Sequence, residues 1–550
     1  MTNYKYVFTS DLGDGTFSNP VIFADVPDED VIRVGNIYYM VSTTMHMSPG
    51  APIMKSYDLV NWEIVNYVYD CLEEDDARAL KNGKNDYAYG QWAASLRYDP
   101  YQKRYYVTFS SQTTAKSYFF VTDDIENGSW HRSETEKCYD SSFLFVDTGT
   151  ECKKYMIIPV QTKLQGKNAN KTEICELIVD ENTWNISLGK ERTLLIDNNN
   201  YENPPAGLAA EGVHAYKIGD YYYFFMIQGE KNPARQQICW RSKTLEYGTF
   251  EVRKVFTGGI VDENGQSINN SWGVAQGGIV QTAEGDWYSL MFQDYHGVGR
   301  IPVLVPVVWG EDGWPVFGNA GKSVNKVLPM PVKGGERKSI VASDEFDSGA
   351  KLRLEWQWNH NPDNDLWSLT DRKDYLRLKS GGICENIRTA RNTLTQRTYG
   401  PTSEAVTAME VQCMRDGDCA GLTVFQNRYG FVGVKMENGK KYLVMHRATE
   451  PGDAAGEEQE RIELTSERIY LRATCDFRED TGLDAFWRMK DEADFYYSLD
   501  GEAWTKIGDT LHMTYDWPDF MGYRFGLFYY STENCGGHVD FDYFHIGPME

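Results

Sequence analysis

The sequence predicts an all-β protein, a five-bladed β-propeller followed by a β-sandwich, and three observations carry that prediction. From Pro20 to about Gly318 one phrase recurs: a turn rich in Gly, Asp or Asn, β-formers around an aromatic pair, a polar hairpin, and a closing strand with Trp or Phe. Helical periodicity is hard to find anywhere in this half. Beyond a Pro, Lys and Gly stretch the rhythm changes to short alternating strands with polar turns, the pattern of two packed sheets.

The copies of the phrase are Gly35-Asn36-Ile37-Tyr38-Tyr39-Met40-Val41, Lys103-Arg104-Tyr105-Tyr106-Val107, Lys153-Lys154-Tyr155-Met156-Ile157, Gly219-Asp220-Tyr221-Tyr222-Tyr223-Phe224 and Gly285-Asp286-Trp287-Tyr288-Ser289. A spacing of roughly 50 to 70 residues fits a radial repeat of four-stranded units. Asp58-Leu59-Val60-Asn61-Trp62 and Ser242-Lys243-Thr244-Leu245-Glu246 read as corresponding turns in the first and fourth copies. The run from Val327 to Lys338 interrupts the pattern and reads as a linker. The expected divisions are therefore 1–326, a propeller carrying the chemistry; 327–339, a linker; and 340–550, an accessory sandwich. Gly421-Leu422-Thr423-Val424-Phe425 and Tyr523-Arg524-Phe525-Gly526-Leu527-Phe528 are typical of the last part.

At 550 residues the chain exceeds one ordinary core. Its formal net charge of −25 repels phosphate backbones and anionic membranes, so neither nucleic acid nor a membrane is expected as a partner. A neutral substrate suits it better. Aromatic residues make up 14% of the chain, enough to fill strand-on-strand cores and still face sugar rings. The N-terminus has no basic stretch leading into an apolar core, and no apolar run is long enough to cross a bilayer, so a soluble, cytoplasmic protein is expected. The ten Cys are scattered without Cys-x-x-Cys and read as buried thiols.

Three acids stand at matching places, each just before a short apolar strand: Asp28, Asp140 and Glu211. If the repeats surround one axis, these carboxyl groups meet in one pocket. Mutual repulsion there raises at least one pKa while another carboxyl stays ionised. A protonated acid and an ionised base in one pocket are what glycosidic cleavage needs. His214 follows Glu211 by three residues and, by strand alternation, is expected on the opposite face as a structural histidine. In the sandwich, Asp347 near the start and Asp542 near the end are candidates to share a structural Ca²⁺ through carboxylate oxygens.

The opening segments Asn19-Pro20-Val21-Ile22, Pro27-Asp28-Glu29-Asp30-Val31-Ile32-Arg33, Ser48-Pro49-Gly50 and Lys55-Ser56-Tyr57-Asp58-Leu59-Val60-Asn61-Trp62 resemble the first blade of glycoside hydrolase family 43. Gly90-Gln91-Trp92-Ala93, the Asp140 and Glu211 segments, and Asp312-Gly313-Trp314-Pro315-Val316 resemble later landmarks of that family in the same order. The sandwich resembles the concanavalin-like appendage of the family's β-xylosidase-type members. The resemblance implies that Asp28 is the general base, Glu211 the general acid, and Asp140 the acid that orients Glu211, with inversion at the anomeric carbon. It also implies that Arg300 bonds sugar hydroxyls and that Trp92 walls the sugar pocket.

The departures are His46 after Met45, where a Phe is usual, and Gln276 where the family carries a His able to hold a metal or water. Both positions are candidates to touch substrate. No cofactor is required, since an amide anchors transition metals weakly. The expected activity is exo-acting removal of terminal β-D-xylose from xylo-oligosaccharides, with α-L-arabinofuranose or dual activity as the alternative. Besides a small oligosaccharide, the only partner left open is the same chain in a homo-oligomer. A non-catalytic carbohydrate-binding protein is the rival class. A retaining fructan hydrolase is disfavoured because the chain lacks its Asn-Asp-Pro-Asn opening.

Overall fold

The computed structural model describes residues 4–164, 167–197, 210–229, 235–268, 273–450, 455–480, 489–515 and 519–549. Residues 1–3, where the reading of the N-terminus begins, lie outside them. Up to Phe317 the chain forms five antiparallel sheets in succession. The first holds Asp30–Val34, Ile37–Val41, Gly50–Ser56 and Glu63–Tyr69. The second runs from Gln91–Asp99 to His131–Glu136, and the third from Ser142–Asp147 to Ile186–Leu188 with Thr193–Asp197 added. The fourth runs from Glu211–Ile218 to Glu251–Phe256, and the fifth from Val274–Ala275 to Pro315–Phe317.

The aromatic pair of the repeat has a clear physical reason. Side chains alternate across a strand, so adjacent tyrosines serve opposite faces of one sheet. Tyr39 and Val41 pack with Leu96, Val107 and Phe109 of the second sheet, whereas Tyr38 and Met40 pack with Leu290 and Leu304 of the fifth. In the fourth sheet Phe224 and Met226 meet Leu144 and Ile157 of the third, while Tyr223 and Phe225 meet Met291 and Val303 of the fifth. Tyr106 and Phe119 of the second sheet meet Phe143 and Met156 of the third. Every sheet is thus buried on both faces, and each fully buried aromatic contributes about 1.5 to 3 kcal/mol.

The innermost strands are also stitched to one another. Ser95 Oγ donates to Asp30 at 3.1 Å and lies 3.3 Å from Ser142 Oγ, which accepts from Ala215 N at 3.4 Å. Ile279 N donates to Tyr216 Oη at 3.2 Å, and Arg33 Nε reaches Gln281 O at 2.6 Å. Hydrogen bonds therefore run from the first sheet through to the fifth and back.

The second part of the chain is two large antiparallel sheets. One orders Glu457–Leu464, Lys440–Ala448, Tyr429–Glu437, Asp418–Phe425, Arg524–Ser531, Leu394–Arg397 and Gln357–Asn359. Its last member is Met47–Ser48, lent by the first part of the chain. The expected linker is not all linker: Val327–Pro329 pairs antiparallel with Thr16–Ser18. Proline is tolerated there because this is a two-stranded edge.

The segments expected to share a Ca²⁺ do lie side by side, with Asp344 and Phe544 bridged through their backbones. Their carboxylates, however, are taken by protein donors. Asp542 accepts from Arg468 at 2.5 Å, Asp540 from Arg377 and Arg372, and Asp344 from Trp356, while Asp347 is exposed. Among the described residues no three His, Cys, Asp or Glu side chains are grouped to hold a metal, so the Asp347 and Asp542 expectation is set aside. Also among the described residues, no helix is long and apolar enough to cross a membrane.

Candidate active site

The innermost strands begin in a shared way, with a residue in the left-handed region just ahead of or inside each: Asp28 (φ 54°), Gly90 (φ 78°), Asp140 (φ 43°), Gly212 (φ 60°) and Gln276 (φ 58°). Asp tolerates this conformation better than most side chains. The local turn aims the following groups along the inner edge. At Gly212 it is a β-bulge: Glu211 lies opposite Ile227 but His214 opposite Phe225. One extra residue on the strand breaks strict alternation, so the alternation argument for His214 fails. Its structural role stands on other grounds, because its ring nitrogen Nδ1 lies 3.1 Å from Asp30 Oδ1 in the buried inner network.

Asp28 is buried and held on both oxygens. Oδ1 accepts from Arg300 Nη1 at 2.6 Å and Gln276 Nε2 at 3.0 Å, and Oδ2 accepts from Thr43 Oγ1 at 2.7 Å. Arg300 is gripped between the rings of Phe292 (4.4 Å) and Phe520 (4.6 Å), the latter from the sandwich. Glu211 accepts from the Tyr139 hydroxyl at 3.2 Å. The ring of Trp92 stands 6.1 Å from that of Tyr139.

Burial pushes the Glu211 carboxyl up to about 7, against the pull of Arg235, Tyr139 and Arg300 and with the help of Asp28. Asp140 is raised well above its ordinary value, by burial first and then by the charges of Glu211 and Asp28. Like charges this close resist ionising together, which favours a proton staying on the Asp140 and Glu211 side of the pocket.

Of the expected residues, the structure brings together Asp28, Asp140, Glu211, Arg300 and Gln276, with Trp92 one ring away. His46 is packed instead against Tyr87 (4.8 Å) and His360 (4.7 Å) at the seam with the sandwich. Residues absent from the sequence reading are Thr43, Tyr139, Arg235, Asp294, Tyr515 and Phe520. Tyr139 adjoins Asp140 and had a signal of position; the rest are joined to the site only by folding.

Two buried aspartates and a partly buried glutamate gathered beside two guanidiniums on an all-β frame supply the acid and base groups that cleavage of a glycosidic bond uses. The chain belongs to glycosyl hydrolases family 43, whose model matches residues 17–315, and residues 343–547 match the beta xylosidase C-terminal concanavalin A-like domain. A β-xylosidase of Formosa agariphila is 31% identical over 97% of this chain and 90% of its own length. A non-reducing end α-L-arabinofuranosidase of Bacteroides ovatus is 27% identical over 68% of this chain and 66% of its own. A solved bifunctional GH43-CE chain of Bacteroides eggerthii superposes with a TM-score of 0.82 at 41% identity. This chain spans 64% of that protein, which covers 97% of it in return.

Proposed function

We propose that the five sheets are the blades of a β-propeller and that the pocket at its mouth is an exo-acting, inverting β-xylosidase site. Glu211 gives its proton to the departing glycosidic oxygen as the bond to the anomeric carbon breaks. Asp28 takes a proton from the water that attacks that carbon from the opposite face, so both protons are accounted for and no cofactor enters. Thr43, Gln276 and Arg300 fix the Asp28 oxygens toward that water. Asp140 supports the protonated state of the acid side. Phe520 and Tyr515 reach in from the sandwich, which favours cleavage from chain ends over binding along a polymer. The reading keeps an intracellular place of action on small imported xylo-oligosaccharides.

The single observation that carries the reading is that Glu211 and Asp140 share a pocket with an Asp28 held on both oxygens by Arg300, Gln276 and Thr43. The second reading is α-L-arabinofuranosidase or dual activity. It is favoured by the arabinofuranosidase relative.

A panel of aryl glycosides tests both. Release of xylose from aryl β-D-xyloside is expected, and internal cuts in polymeric xylan would contradict the reading. Glu211→Gln and Asp28→Asn each cost about 10² to 10⁴ in turnover. The Glu211 loss is largely recovered on a substrate whose leaving group needs no proton, and the Asp28 loss is not. Equal losses on both substrates would refute the assignment of acid and base.

A further inference from the structure

Asp294 ends the strand Trp287–Asp294 of the fifth sheet, and its side chain is completely buried. Its Oδ2 stands 2.5 Å from Arg235 Nε in an ion pair. Its Oδ1 accepts from Arg300 Nε at 3.3 Å and from the Tyr515 hydroxyl at 2.6 Å. Burial alone would raise this carboxyl, but the two arginines outweigh it and hold it below its ordinary value. One carboxylate is therefore the common counter-ion of two guanidiniums.

Those guanidiniums act on different carboxyls of the pocket. Arg300 presents Nη1 to Asp28, and Arg235 is the strongest charge pulling on Glu211. Guanidinium is a rigid planar fork, so a carboxylate fixed on Nε sets where Nη1 points. The third contact comes from elsewhere in the chain. Tyr515 and Phe520 flank the approach to the strand Arg524–Ser531 of the sandwich, and Phe520 covers the Arg300 face opposite Phe292.

We propose that Asp294 is the positioning residue for both ends of the reaction, orienting Arg300 on Asp28 and balancing Arg235 beside Glu211, and that Tyr515 locks it in place. The inference rests on the reading of Asp28 as base and Glu211 as acid and deepens it.

The test is kcat/KM against pH on an aryl β-D-xyloside with a poor leaving group, for the full-length wild type, Asp294→Asn, Tyr515→Phe and Glu211→Gln, with thermal unfolding of each. Removing the Asp294 charge leaves two guanidiniums under-compensated, which favours the Glu211 carboxylate. The alkaline limb then moves to lower pH, and kcat falls by about 10²-fold through misplacement of Arg300. Tyr515→Phe moves the limb in the same direction with a smaller loss and an intact fold. If Asp294→Asn does not fold, Tyr515→Phe decides alone.

A limb that stays where it is in every folded variant, whatever the loss in rate, would reduce Asp294 to a structural role and overturn the inference. Failure of the underlying reading looks different: the wild-type alkaline limb would survive Glu211→Gln. In that case the limb belongs to another group, and the inference falls with the reading.

Discussion

Tyr139 illustrates what one side chain contributes beside the carboxyl proposed as the acid. Its hydroxyl donates to Glu211, stabilising the carboxylate and pulling its pKa down against burial. A hydrogen bond to a charged group is worth about 1.5 to 3 kcal/mol, and 1.36 kcal/mol is one pH unit. Tyr139→Phe is therefore expected to carry the alkaline limb upward by about one to two units from near 7, with a drop in kcat as Glu211 loses its orientation. A pH profile with the limb unmoved or lowered would show that the hydroxyl does not act on Glu211. The sign is opposite to that expected for Asp294→Asn, so the two variants check each other. At this scale the sequence was legible where a residue sat in the repeat. Asp28, Asp140 and Glu211 declared themselves by position, whereas Asp294 reads as any strand-end acid. Its importance comes from Arg235, Arg300 and Tyr515, which meet it only in the folded chain.

The recurring element is the left-handed step at the head of each innermost strand. At Gly212 the requirement is double. Its φ is +60°, and a Cβ there would stand 2.6 Å from Cδ of Gln276, the amide that donates to Asp28. Gly212→Ala is thus expected to cost about 1 to 2 kcal/mol in backbone strain, read as a lowered unfolding midpoint. It should also reduce kcat/KM by more than about tenfold by pushing Gln276 off Asp28, a displacement large enough to disturb alignment. Full activity in that variant would mean that Gln276 does not position the base. The aromatic pair was legible because a strand buried on both faces has apolar side chains in both phases of its alternation. The bulge was not, since one Gly inside a strand pattern leaves open where the register resets. That is why alternation misplaced His214. Val327–Pro329 was hidden for the complementary reason: Pro, Lys and Gly signal a break, yet an edge strand accommodates them.

At the scale of the molecule the two parts of the chain share a sheet. Met47–Ser48 adds to Gln357–Asn359, Ser48 Oγ donates to Asn361, and Arg397 Nε donates to Asp25 O. None of this was legible, because contacts between Met47 and Asn359 or Arg300 and Phe520 leave no periodic trace. The seam buries two neutral imidazoles. His46 is held down to about 3 by burial and by Arg388 and Arg524. His360 is held well below its ordinary value by burial, His46, Arg388 and Arg78, and its Nε2 accepts the Asp86 N–H. A depressed imidazole favours the folded state while neutral, so its contribution is present above about 6.5 and is lost as pH falls from there toward 3. For His46 this amounts to about 2 kcal/mol at pH 5. Asp25 and Asp86, raised to about 6, and Asp491, raised to about 8, act in the opposite sense. The prediction is therefore a difference: relative to wild type, His46→Asn gains stability steadily between pH 6.5 and 5, measured by thermal unfolding. A constant difference would contradict a neutral buried His46.

Action of Asp28 and Glu211 from opposite faces of one bound sugar, as proposed, can be read directly from the product. Proton NMR of the sugar first released from an aryl β-D-xyloside should show α-xylose before mutarotation sets in, whereas β-xylose appearing first would mean retention and would contradict it.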